Sequence, residues 1–154
     1  MHTVAIRNDF NEPLKLDGVE RALLCLMRKF SFPEGEVSVL VTDNASIQKL
    51  NFEFRNMNEP TDVLTFPPLT TRHGALGDIA ISVDFARRHA ELRRVPIEDE
   101  VAMLAIHGGL HLAGFDDHGE RDRETMVRLM NLIAEEVGIP TDPEWSSLPH
   151  GGPN

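Results

Sequence analysis

A chain of 154 residues, 41% hydrophobic and 26% charged, has the size and apolar content of one folded domain. Its one cysteine, Cys25, excludes an internal disulfide, a zinc finger and a CxxC redox pair, and no apolar run nears the roughly 20 residues of a membrane span. A formal charge of −10 argues against a nonspecific nucleic-acid coat, and with no basic-then-apolar segment at its start the chain is expected to be cytoplasmic.

Residues 3–7 read as a short strand. A helix is expected from Asp17, with Glu20 as its capping-box partner and Leu16, Val19, Leu23, Leu26, Met27 and Phe30 as its apolar stripe. Cys25 falls within it as a small buried hydrophobe. After the breakers Pro33 and Gly35, residues 37–41 form a β-branched strand. Asp43 or Asn44 caps a short helix reaching about Phe54, and a loop with Asn58, Glu59 and Pro60 follows. Strands are expected at 62–66, ended by Pro67 and Pro68, and at 78–82, with a loop over 69–75 between them. Helices follow at about 84–94, from Pro96 to about Ala113, and at about 121–137. Acidic Glu98, Asp99 and Glu100 suit the first turn of the second of these, and Gly114 suits its end. Met126, Leu129, Met130, Ile133 and Val137 make one face of the third. Residues 1–140 form one domain on this reading, and the proline-rich 141–154 an irregular tail.

The chemistry concentrates in one stretch, His107-Gly-Gly-Leu-His111-Leu-Ala-Gly114-Phe-Asp116-Asp117-His118. On a helix, His107 and His111 stand one turn apart on the same face, so both imidazoles can reach one metal ion. Gly114 lets the chain turn back so that Asp117 or His118 supplies a third ligand. Three N or O ligands with an open fourth position describe catalytic zinc. Zinc peptidases of the HExxH type carry a general base directly after the first histidine. Here that residue is Gly108, so peptide hydrolysis is a poor reading.

That stretch resembles the HGxLHLxGYDH signature of the YbeY family, single-strand-specific endoribonucleases that mature ribosomal RNA in bacteria. Two further segments are similar to the family's: Arg55 with Pro60-Thr61-Asp62-Val63-Leu64-Thr65-Phe66, and Leu76-Gly77-Asp78-Ile79. The resemblance covers residues 51–118 in order and spacing. It implies a compact α+β domain, with a mixed sheet of about four strands, several helices, and a two-histidine helix like that of zinc peptidases. It also implies one Zn2+ per chain and Arg55 as a catalytic residue, which suits a guanidinium's bidentate grip on a phosphodiester.

One departure concerns the third ligand, since the family's histidine falls where this chain has Asp117. Asp117 is the expected ligand because it requires no change in loop length, with His118 as the alternative. Asp116 is expected to orient a ligand imidazole from outside the ligand set. Arg87, Arg88, Arg93 and Arg94, set against Glu91 alone, form a local basic segment and a candidate RNA-contact face. The expected partners are single-stranded RNA, chiefly ribosomal RNA, and the small ribosomal subunit with its proteins, with no membrane. The rival readings are a non-catalytic ribosome-assembly factor with a structural metal, and a zinc hydrolase of a small molecule.

Overall fold

Alternation of β-branched strands with amphipathic helices builds one sheet covered on both faces. The computed structural model describes residues 1–70 and 72–147. Strand β1 (His2–Asn8) leads through helix α1 (Asp17–Lys29) to β2 (Gly35–Thr42) and α2 (Asn44–Arg55). Then come β3 (Val63–Phe66), a 3-10 turn at Arg72–Gly74, β4 (Ala75–Ser82), α3 (Val83–Arg93), α4 (Ile97–Leu112) and α5 (Glu120–Val137). The sheet runs β1-β2-β4-β3, with β1, β2 and β4 mutually parallel and β3 antiparallel at one edge. The result is the expected α+β fold with a four-stranded mixed sheet.

Period-two alternation divides the strands' side chains between two cores. Val37, Val39 and Val41 of β2 and Ile79 and Ile81 of β4 face α1, α4 and α5 in the larger core. Leu64 and Ala80 face the opposite way, onto Ile47 of α2. The stripe on α1 is buried as expected at Val19, Leu23, Leu26 and Met27, with Leu16 and Phe30 packed at its margin.

Helix α4 lies at the centre, and an unbroken run from Glu100 to Leu110 is buried. Two adjacent glycines let it in. A Cβ on Gly108 would stand 2.9 Å from Ile79 Cγ2 and 3.1 Å from Thr65 Cγ2, while one on Gly109 would stand 2.9 Å from Leu26 Cδ1. The helix is therefore pressed against the sheet on one side and α1 on the other.

Several local expectations are corrected. Leu16 takes the N-cap position of α1 and offers no side-chain cap, so there is no Asp17–Glu20 capping box. Asp17 lies inside the first turn and instead faces Arg21 at 3.7 Å. Asp43, rather than Asn44, caps α2 by accepting from the Ser46 amide at 2.8 Å. Strand β4 starts at Ala75, because Ala75 already pairs with Glu36 of β2. Cys25 is buried but also donates its thiol to Glu136 Oε2 at 2.9 Å. Residues 141–147 carry no helix or strand, yet Trp145 is buried in the main core. The rest of the expected tail, 148–154, lies outside the described residues.

Candidate metal centre

Helix α4 delivers two imidazoles to its C-terminal end on one face, as their four-residue spacing requires. Their Nε2 atoms stand 3.2 Å apart. Gly114, at φ 103°, then turns the chain in a conformation that a side chain rarely adopts. The returning loop places Asp117 Oδ2 3.5 Å from His107 Nε2 and 3.9 Å from His111 Nε2. Ligands held about 2.0–2.2 Å from a tetrahedral zinc stand roughly 3.3–3.5 Å from one another, so this triangle has the dimensions to share one ion. It supplies three donors and leaves a fourth position free of protein ligands among the described residues.

Protonation favours the same use. His111 Nδ1 donates to the Phe115 carbonyl at 3.1 Å, which turns the lone pair of Nε2 toward His107 and Asp117. Burial, and next the neighbouring His107, push the His111 pKa down and so favour its neutral form. The hydrogen bond with His107 holds the Asp117 carboxyl down at about 2. An anionic carboxylate and a neutral imidazole are the forms that bind a metal.

Two of the other residues singled out from the sequence lie elsewhere. His118 is 87% exposed and its Nδ1 stands 3.9 Å from Asp116, turned away from the cluster. Asp116 accepts from the His118 amide at 3.3 Å, and the orienting contact expected of it reaches His111 from the Phe115 carbonyl. Arg55, exposed at the end of α2, donates through Nη2 to the Thr65 carbonyl of β3 at 3.3 Å. Thr65 packs beside Gly108, so the guanidinium lies next to the histidine helix, and its charge contributes to lowering the His111 pKa.

The four arginines of the basic segment separate. Arg87 pairs with Glu12 at 2.8 Å, and Arg88 lies over the Phe85 ring at 5.2 Å. Arg94 is exposed at the left-handed end of α3. Arg93 turns inward to Asp142 at 2.8 Å and Glu100 at 3.6 Å, and also donates to His89 and the Ser146 carbonyl.

Sequence reasoning missed the buried group beside the cluster. Glu100, His89 and Trp145 are almost fully buried together, and the Trp145 indole neighbours the rings of both His89 and His107. Its one signal was the chain's single tryptophan standing in a stretch otherwise rich in proline and glycine.

Known proteins share this arrangement of sequence and fold. Residues 7–138 match the family model described as Endoribonuclease YbeY. A protein named Endoribonuclease YbeY from Sulfurovum sp. is 36% identical over 148 residues, covering 92% of this chain and 95% of that one. Another of the same name from Bradyrhizobium diazoefficiens is 41% identical over 115 residues, covering 70% of this chain and 63% of its own length. A solution structure from Thermotoga maritima superimposes with a TM-score of 0.59 at 27% identity, over 87% of this chain and 88% of that one. With a family model spanning most of its length and relatives of this identity, the chain belongs to the YbeY endoribonuclease family.

Proposed function

We propose that the protein is a zinc-dependent endoribonuclease that cuts single-stranded RNA in ribosomal RNA maturation, in the cytoplasm, working alone or docked on the small ribosomal subunit. The triangle of His107, His111 and Asp117 carries the reading, because it is ligand-ready and three-coordinate, with Arg55 beside it in a chain of an endoribonuclease family. A structural zinc is closed by four protein ligands, and the cluster offers three, which disfavours the assembly-factor alternative.

The chain's own residues divide the work. His107 and His111 would hold the ion from a buried helix, with Asp117 of the loop as the third ligand. When bound there, the ion supplies Lewis acidity toward a phosphodiester. Arg55 uses one N–H on Thr65, which leaves its remaining donors for the phosphate oxygens. A guanidinium held this way stabilises charge that builds on those oxygens. Gly108 leaves no room for the peptidase-type base, which favours a mechanism in which stabilising the phosphate does most of the work. Arg87, Arg88 and Arg94 stay at the surface as candidate RNA contacts, whereas Arg93 serves the interior.

The test is cleavage of a single-stranded RNA by the zinc-loaded protein and by Arg55→Lys. Lysine keeps the charge but loses the planar two-point grip, so turnover should fall at least about tenfold with zinc content unchanged. Undiminished turnover in Arg55→Lys removes Arg55 from catalysis, and a zinc-loaded wild type that leaves RNA intact overturns the enzyme reading.

A further inference from the structure

Ligand histidines ordinarily fix their ring by donating the second nitrogen to a carboxylate or carbonyl. His111 does so, through Phe115. His107 does not: its Nδ1 is buried with no hydrogen-bond partner among the described residues, although the ring is only 5% exposed. What the ring meets is an aromatic face. The Trp145 indole lies 5.1 Å away, centroid to centroid, tilted by 40°.

That indole is itself fixed from several sides. Its Nε1–H donates to Glu100 Oε2 at 2.7 Å, and its ring stacks on that of His89 at 5.7 Å and 14°. The Arg93 guanidinium sits 5.5 Å from the ring and grips the same segment through Asp142 Oδ2 at 2.8 Å and the Ser146 carbonyl at 2.9 Å. Asn131 of α5 completes the anchor with two hydrogen bonds to the Asp142 backbone. Glu100 and His107 are seven residues apart on α4, two turns along one face, so Trp145 spans from the acid to the histidine.

We infer that Trp145 is a positioning residue: pinned by Glu100 and Arg93, its indole sets the orientation of the His107 imidazole for a metal by ring packing, in place of a hydrogen bond to Nδ1. The inference rests on reading His107, His111 and Asp117 as a zinc site. The broad indole leaves the imidazole less room to rotate than a smaller aliphatic side chain in its place would.

Zinc affinity of the full chain, measured by competition with a chromophoric chelator, separates these roles, with thermal melting of the metal-free protein as the folding control. Trp145→Leu keeps an apolar filler and should weaken zinc binding about tenfold, within the range known for residues that orient ligands. Trp145→Phe restores a flat ring but loses the hydrogen bond to Glu100, so it should recover part of that affinity, although both variants lower the melting temperature of the metal-free protein. Equal affinity losses in the two variants, or wild-type affinity in Trp145→Leu, overturn the inference. His107→Ala is measured alongside. If it loses zinc while Trp145→Leu does not, the zinc site stands and the inference falls, and if neither loses zinc, both fall.

Discussion

Replacing Gly108 by alanine sets two opposed effects against each other at one helix position. Alanine improves intrinsic helix propensity over glycine by about 1 kcal/mol. Against that, the new Cβ would stand 2.9 Å from Ile79 Cγ2, 3.1 Å from Thr65 Cγ2 and 3.4 Å from Val63 Cγ2. All three are methyls on β-branched side chains of a sheet, stiff at χ1 and unable to swing aside. Relief requires α4 to move off β3 and β4 by several tenths of an ångström, and overpacking of this kind costs about 1–3 kcal/mol. With three stiff methyls in the way, the cost falls in the upper part of that range, about 2–3 kcal/mol, so the net loss is about 1–2 kcal/mol and the melting temperature falls by roughly 2–8 °C for a domain of this size. Gly18 is the internal control, because its Cβ would meet only Arg21 Nη2, at 3.9 Å. Gly18→Ala should stabilise the fold by about 0.5 kcal/mol. Thermal denaturation of both variants followed by circular dichroism makes the comparison. A Gly108→Ala protein melting at or above the wild type would refute the close packing of α4 on the sheet.

At the third ligand, Asp117→Ala should weaken zinc binding at least about tenfold while His118→Ala leaves it within about twofold, as chelator competition will report; the reverse order would make His118 the ligand. The Cys25 thiol, pushed up to about 11 by burial and by its hydrogen bond to Glu136, should resist alkylation at pH 7.5 in the native protein and react once denatured, and rapid native labelling would contradict its burial. The pKa of His111 is lowered in the fold, so the folded state binds its proton less readily than the unfolded one, and stability is highest above the unfolded value of 6.5 and falls as pH drops below it. The melting temperature of the metal-free protein should accordingly decline below pH 6.5, and His111→Gln should flatten that decline; an unchanged slope would assign it to other groups.

What could be read from the sequence followed periodicity. The stripe on α1 and the four-residue spacing of His107 and His111 repeat at helical intervals, so both faces were legible before any coordinates. Contacts made by backbone groups were not, since any residue carries a carbonyl, and Phe115 rather than Asp116 therefore holds His111. Arg93 misled for a related reason: a count of charges places every arginine in solvent, whereas this one is 16% exposed and answers Glu100 and Asp142. Trp145 lies in a segment without regular structure, where no repeating pattern marks an inward side chain. The start of β4 at Ala75 was hidden because its pairing partner, Glu36, is distant in sequence.

Strand β3 ends the sheet on one side, and an open strand edge invites pairing with another chain. This one is blunted: it is four residues long, Pro67 and Pro68 follow it directly, and the Thr65 carbonyl is already occupied by Arg55. The same guanidinium proposed to grip the substrate thus also guards against self-association through the sheet. A variant lacking it leaves one more backbone acceptor open on that edge. Rates for Arg55 variants are therefore compared with the wild type in fractions of equal size on size exclusion, where only the chemistry differs.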